Sequence, residues 1–505
     1  MKKYIYILII PVLFSCKKQL QEQAFSSVVS ENFYKTSSDA ISALYGVYNE
    51  LNRANTDWDN YMYSMVFVPS EYVETKVVQR KVYSNFKYGT SDATIEAVWK
   101  QAYVAINRAN AVIDNVPTIS MNDSLKKEIV AEAKFIRALS YFNLVRLYGG
   151  VPMRVHQTVS LADGYLPRST ASQVYDLIIS DLTEAETNLP DVRPSTEAGR
   201  VISGAASGLL GKVYLTMAGN PLKQTDKWSL ARDKFKYIMD NKARWGYTLM
   251  TSYKDVFSLT NQNNKEIMFS IQFSHVTGQG SVLAFYCAPL NSPFATGNGQ
   301  YHFGFTPTFY NLFAASDTIR RNTTMVYSYT DINGKLVTYN KAPKLDSYQE
   351  PFGIALGKYQ DGTGAPSNVN HANDIIVLRY ADILLMFAES ENEVNNGPDQ
   401  AAIDAINQVR ARAKTTLASI SNTNYNTYGL FQAAIRKERL FELSGELTEF
   451  FDIQRWGTLQ TTIANSPEAI TAKTTFDNKY YLYPIPLSEI DANPLIGQQN
   501  QNPGW

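Results

Sequence analysis

The feature that most constrains this chain is a set of apolar residues at helical spacing, in segments that come two by two. Val98, Ala102, Ala105, Ile106, Ala109, Val112 and Ile113 follow an i, i+4, i+7, i+8 pattern until Pro117. Ile129, Ala133, Ile136, Leu139 and Phe142 repeat it until Gly149 and Gly150. A second pair covers residues 171–189, opened by the capping box Thr170-x-x-Gln173, and residues 204–218. A third starts at Trp228, and its partner, residues 374–394, lies beyond a long insertion; the fourth joins residues 400–413 to residues 430–451. A helix with one apolar stripe gains most of its stability from packing, so such hairpins persist by stacking on one another. Hairpins of about 34 to 45 residues predict a mostly α fold, a degenerate tetratricopeptide-like scaffold of about four helix pairs.

The remaining stretches read differently. Residues 38–51 place Ala40, Leu44, Val47 and Leu51 on one face and predict a leading helix. Residues 58–88 hold Trp58, Tyr61, Tyr63, Phe67, Tyr72, Tyr83, Phe86 and Tyr88 without a clean period, so a long connection with little regular structure is expected. Between residues 245 and 371 Gly, Asn, Thr, Ser, Pro and aromatics dominate. Strand-like runs there include residues 267–273 and a hairpin over 325–339 around Asn333-Gly334. So long an insertion is expected to fold as a lobe of ordered loops and short strands. The expected organisation is an N-terminal helical region, 39–244, the insertion, 245–371, and a C-terminal helical region, 372–505.

The N-terminus carries an address. Met1-Lys2-Lys3, the apolar run 4–14 and Ser15-Cys16 have the form of an export signal over residues 1–15, too short to span a bilayer. Leu13-Phe14-Ser15-Cys16 resembles a bacterial lipobox, which makes Cys16 the lipidated first residue of the mature chain and residues 16–38 its tether. More than one acyl chain anchors a protein stably to a membrane surface. With two cysteines in the whole sequence, lipidation leaves Cys287 without a partner, so packing and not disulfides holds the fold.

Charge and motif content exclude several functions. Lys+Arg 47 against Asp+Glu 47 gives zero formal net charge, without the basic excess that binding nucleic-acid phosphates requires. The four histidines, His156, His275, His302 and His371, are scattered singly, and no HExxH, paired Cys, G-x-S-x-G or Walker-type run occurs, so no metal or cofactor is expected. Asp361-Gly362-Thr363-Gly364 contains an aspartic-protease-like tripeptide without the second copy such an enzyme needs. Aromatic residues reach 12%, with Tyr 33, Phe 24 and Trp 6. Tyr is the informative one, since its apolar ring and polar hydroxyl suit a surface that meets a polar ligand.

A series of short motifs then points one way. Trp99-x₃-Tyr103-x₂-Ile106-Asn107-Arg108-Ala109-Asn110 is followed by Ala133 to Phe142, Tyr148-Gly149-Gly150-Val151-Pro152 and Pro167-Arg168-Ser169-Thr170. Later come Leu378-Arg379-Tyr380-Ala381-Asp382, Asn407-x-Val409-Arg410-x-Arg412-Ala413 and Glu438-Arg439-x₂-Glu442-Leu443. Phe451-Asp452-x₂-Arg455-Trp456-Gly457, Tyr483-Pro484-Ile485-Pro486 and Gln501-Asn502-Pro503-Gly504 close the series. In this order they resemble the RagB/SusD family of outer-membrane nutrient-binding lipoproteins. The resemblance implies a lipid-anchored, mostly helical, non-enzymatic protein on the outer membrane. It also implies a lid over a SusC-like TonB-dependent transporter, capturing oligosaccharides or, in some members, peptides for import. The charged motif residues are expected to knit helices together, and Arg379 and Asp382, three apart, to pair on one helix face. Two departures stand out: Glu446-Leu447-Thr448-Glu449 occupies a place where the family often has Glu-Gly-x-Arg, and Lys17-Lys18 follow Cys16 where acidic residues often accompany surface export.

A sugar presents an apolar face and a rim of hydroxyls, which calls for an aromatic wall edged by polar side chains. Two segments outside the helical repeats supply them. Trp58, Asn60, Tyr61 and Tyr63 come from the first, and Tyr286, Asn291, Tyr301 and His302 from the second. Stacking that removes about 100 Å² of apolar surface contributes at most about 2.5 kcal/mol, so a few stacks yield millimolar to micromolar capture. The competing readings are a helical-repeat assembly factor whose aromatics are covered by protein, and a glycosidase, whose carboxylate pair is defined by spacing in space and not in sequence.

Overall fold

The structure, a computed structural model, describes residues 33–52, 57–339, 353–362, 364–413, 424–466 and 476–505. Cys16, the signal segment 1–15 and most of the tether 16–38 lie outside the described residues.

Helix α1 (Ser37–Asn49) is opened by Thr36 and Asp39, whose side chains each accept the other's backbone N–H, and it buries Ala40, Leu44 and Val47 as the spacing predicts. Helix α2 (Val78–Ser84) lies inside the aromatic stretch. The repeats follow as α3 (Ala93–Asn115), α4 (Asp123–Tyr148), α5 (Ala171–Asn188), α6 (Ser203–Ala218) and α7 (Lys227–Asp240), with the short α8 (Lys242–Trp245) after them. The Thr170–Gln173 capping box is present at the start of α5. The insertion contributes the short helices α9 (Leu283–Cys287), α10 (Pro307–Leu312) and α11 (Thr318–Thr324). Beyond it, α12 (Tyr380–Asn395), α13 (Gln400–Arg412), α14 (Tyr428–Leu443) and α15 (Glu449–Arg455) complete the scaffold.

Each long helix packs on the next in a continuous stack from α3 to α7, and α7 then packs on α12, which packs on α13 and α14. The fold is thus mostly helical, in paired tetratricopeptide-like helices, and the third pair closes across the insertion. Glycines permit the closest approach. A Cβ on Gly211 of α6 would lie 2.6 Å from Phe235 Cε1 of α7.

The strands are short. β1 (Val73–Glu74), β3 (Gly304–Phe305), β7 (Ile354–Leu356) and β4 (Met325–Val326) form one antiparallel sheet in the order β1-β3-β7-β4. β5 (Ser328–Thr330) and β6 (Leu336–Thr338) make the hairpin expected around Asn333-Gly334. β2 (Ile267–Ile271) pairs antiparallel with β8 (Ile375–Arg379), so the first residues of the predicted 374–394 helix are strand. One apolar cluster holds residues from Ala40 to Ile496, including the 58–88 stretch and the insertion. Those 58–88 residues do not form a plain connection. They make π-type turns over 57–61 and 63–67, where Val68 N–H reaches the Tyr63 carbonyl at 3.0 Å, and then β1 and α2.

Arg379 and Asp382 do not pair with each other. Arg379 ends β8, 1% exposed, and its guanidinium donates to Glu446 Oε2 at 2.6 Å, Glu442 Oε1 at 2.7 Å and Glu266 Oε1 at 2.8 Å. Asp382, one turn later, accepts from Lys212 at 2.9 Å and from Arg439 at 2.8 Å. The backbone passes from extended to helical between the two, which sends the side chains into separate clusters. The first cluster continues through Arg412, Arg320, Arg410, Lys358, Glu438 and Asp317, and the second through Asp452, Arg455 and Glu389. These charged residues join helices and strands far apart in sequence. Glu446, in the departing Glu446-Leu447-Thr448-Glu449 stretch, belongs to the first cluster, whereas Glu449 faces Glu71. The C-terminal motif is tied back to the scaffold: the Asn502 amide donates to the Tyr148 carbonyl at 2.9 Å and the Tyr483 carbonyl at 2.7 Å, and its oxygen accepts from Arg168.

Candidate functional site

The β1–β3 pairing, with Val73 opposite Phe305 and Glu74 opposite Gly304, brings the two aromatic segments together. Thr75 Oγ1 donates to the His302 carbonyl at 2.8 Å, and Thr306 N–H to the Tyr72 carbonyl at 2.9 Å. On the other flank, His302 N–H donates to the Tyr286 carbonyl at 2.7 Å and Tyr301 N–H to the Ala288 carbonyl at 3.0 Å, which fastens α9 to the strand leading into β3.

These constraints build a shelf. The His302 ring stacks on Tyr286, with centroids 4.2 Å apart and planes at 22°. Behind the stack, Arg80 of α2 donates to Asn60 Oδ1 at 2.6 Å, while its guanidinium lies 4.8 Å from the Tyr286 ring centre and 4.6 Å from that of Phe303. The cation thus bridges the first segment to the second through a hydrogen bond and ring faces. Burial, helped by the charges of Arg80 and Lys76, pushes the His302 pKa down to about 3, so the imidazole is neutral at physiological pH. Burial also lowers the pKa of Lys76, whose ammonium lies 5.3 Å from the centre of the Tyr301 ring.

The predicted site residues divide by accessibility. Tyr61, Tyr286 and His302 are half-buried and Asn291 is exposed, in a loop where Asn291 N–H meets the Asn298 carbonyl at 2.7 Å and both residues have positive φ. Trp58, Tyr63 and Tyr301 are 7%, 0% and 2% exposed. Trp58 belongs to the main apolar cluster. Tyr63 donates to the Gly445 carbonyl at 2.9 Å, with Phe67, Phe303 and Tyr359 around its ring. Tyr301 accepts from Gly353 N–H at 3.1 Å. In this arrangement protein covers these three rings, and replacing Trp58 or Tyr301 by Ala disturbs packing before it disturbs any ligand. Asn60 is buried as the acceptor that orients Arg80.

Sequence reasoning missed Arg80, Lys76 and Thr75. The available signal was the four cations Lys76, Arg80, Lys81 and Lys87 within the aromatic-rich stretch 58–88, the composition of cation–π contacts.

Chemically the shelf offers aromatic surface and a neutral imidazole, with the Arg80 guanidinium behind them. Cys287 is buried, and burial pushes its thiol pKa up, away from nucleophilic use. Among the described residues no three His, Cys, Asp or Glu side chains are grouped as metal ligands, and no helix is long and apolar enough to cross a membrane.

Comparison with known proteins agrees with this architecture. Residues 12–215 match a family described as starch-binding associating with outer membrane, and residues 240–505 match the SusD family. SusD-like protein P25 of Formosa agariphila is 28% identical over 97% of this chain and 97% of its own. The crystal structure of a SusD homolog from Bacteroides thetaiotaomicron superposes with a TM-score of 0.80 at 24% identity, covering 94% of this chain and 98% of that one. A laminarin-binding SusD-like protein superposes with a TM-score of 0.75 at 23% identity, covering 94% and 100%. At these identities the structural likeness establishes the fold. The family match over residues 240–505, more than half of the sequence, establishes membership: the chain belongs to the SusD family.

Proposed function

We propose that the protein is a non-enzymatic, lipid-anchored binding protein of the outer membrane that captures neutral oligosaccharides and delivers them to a SusC-like TonB-dependent transporter. The observation that carries the reading is the Tyr286–His302 stack, backed by the Arg80–Asn60 pair and reached by solvent. A sugar ring laid against the solvent-reached side of the Tyr286–His302 stack covers an apolar surface, with the Arg80 guanidinium behind it. The neutral His302 adds no charge, and zero net charge over the chain fits a neutral ligand. Family membership, the outer-membrane description of the N-terminal match and the laminarin-binding neighbour support the ligand class and the location. The lipobox at Cys16 supports the anchor, and family resemblance supports the transporter.

The test is a glycan array followed by native gels cast with each hit polysaccharide, comparing wild type with Tyr286→Ala. Loss of one stacking face of about 100 Å² lowers affinity by at most about 2.5 kcal/mol, and about tenfold is expected. A Tyr286→Ala protein that is folded and migrates like wild type in every gel removes the shelf from the binding site.

A further inference from the structure

The insertion lobe holds a second opening, a cleft of about 910 Å³ between the turn at residues 254–260, α11 and strands β4 and β5. That volume is at the upper end of the range of about 300–1,000 Å³ typical of small-molecule sites. Its wall is aromatic. Tyr310 and Tyr327 stack with centroids 4.8 Å apart and planes at 28°, Tyr327 is 39% exposed, and Phe294 stands in the same lining. The Arg321 guanidinium sits 4.5 Å from the Tyr310 ring centre and holds the pair in place.

Its edge is polar, with Asn322 exposed and Gln360 half-buried, and Asp361 follows in the same lining. Asp361 is 1% exposed. Its Oδ2 lies 2.8 Å from His275 Nε2 and accepts from Ala372 N–H at 2.8 Å, whereas Oδ1 has no hydrogen-bond partner among the described residues. The buried His371 ring, with Nδ1 3.5 Å from Oδ2, packs against the same carboxylate, so the Asp361 side chain stands behind the lining. Stacked rings edged by amides are together the chemistry of a hydroxylated, flat-faced ligand.

We propose that this cleft is a second oligosaccharide site, separate from the Tyr286–His302 shelf. It takes its ligand class from the capture reading above. The shelf flanks β1 and β3, while the cleft is lined by β4, three strand spacings from β1 in the order β1-β3-β7-β4. At about 4.8 Å per spacing that is about 14 Å, so the two sites hold different parts of a long glycan or two short ones.

The experiment runs the full chain in native gels containing laminarin, starch or galactomannan, with four proteins: wild type, Tyr286→Ala, Tyr327→Ala and the combination. Asn322→Trp, an exposed position that fills the cleft, is a second probe that spares the aromatic pair. Both cleft variants are expected to bind about tenfold more weakly than wild type, Tyr286→Ala to keep residual binding, and the combination to keep none. Wild-type retardation of Tyr327→Ala and Asn322→Trp overturns the cleft while the shelf stands. Complete loss of binding in Tyr286→Ala alone also overturns it, and a wild-type protein retarded by none of the gels overturns the capture reading and the cleft together.

Discussion

Replacing Arg379 by Met tests whether the buried charge cluster, and not helix propensity, locks the C-terminal half to the insertion. Arg379 makes three carboxylate contacts at 2.6, 2.7 and 2.8 Å, a further bond to Glu446 Oε1 at 2.9 Å and one to the Glu442 carbonyl at 2.9 Å. Summing five charge-assisted bonds at about 1.5–3 kcal/mol gives about 7–15 kcal/mol, an overcount, because each acid keeps another base. Glu266 and Glu442 keep Arg412, Glu442 also keeps Arg320, and Glu446 keeps Lys358. The net change is in charge. Asp317, Glu266, Glu438, Glu442 and Glu446 balance Arg320, Lys358, Arg379, Arg410 and Arg412 in the wild type, and the variant is left with one excess negative charge away from water. Breaking a buried ion pair from one side costs about 3–5 kcal/mol, and that is the expected loss. Urea unfolding at pH 7 read by tryptophan fluorescence measures it, and adding Glu446→Met restores neutrality, so the double variant should lose less than the sum of the singles. A loss below about 1 kcal/mol for Arg379→Met, or strict additivity of the pair, refutes the argument that charge balance sets the stability.

Two further outcomes follow from packing and titration. The Glu449 carboxyl has a pKa raised by burial and by the facing Glu71. The unfolded chain therefore gives up this proton at lower pH than the fold does, so stability is full below the ordinary carboxylate range and falls as pH rises through the folded value. Glu449→Gln should leave stability at pH 4 unchanged and raise it at pH 8, by on the order of 1 kcal/mol, and thermal melts at the two pH values separate this from a pH-independent effect. Gly211→Val places side-chain atoms where Phe235 Cε1 is already 2.6 Å from an ideal Cβ. It should cost about 1–3 kcal/mol, and an unchanged melting temperature would show that α6 and α7 can part without loss.

The helical array was legible because its residues repeat a period that only one local structure satisfies. Val98 to Ile113 and Ile129 to Phe142 lie in α3 and α4. The aromatic stretch 58–88 was not, because π-type turns with i to i+5 bonds displace side chains from the 3.6-residue pattern. Ile375 to Arg379 read as the start of a helix because a short apolar run fits either structure, and pairing with β2, remote in sequence, made it a strand. For the site, both aromatic segments were visible, but which of their rings reach solvent was not. Tyr286 and Tyr301 share one loop-rich segment, yet Tyr301 is sealed beneath Gly353 while Tyr286 meets Arg80.

The sequence by itself determined the stacked helical scaffold, the motif series that marks the family and the location of aromatic excess outside the repeats, since these depend on local period and composition. The tertiary structure decided which charges meet and which rings stay accessible. Arg379 and Asp382 are three residues apart but bind acids and bases 63 and 57 residues away. Asn60 is joined to Tyr286 through Arg80, where β1 pairs with β3 across the chain. Such partners are chosen by long-range strand pairing and burial, which no local spacing encodes.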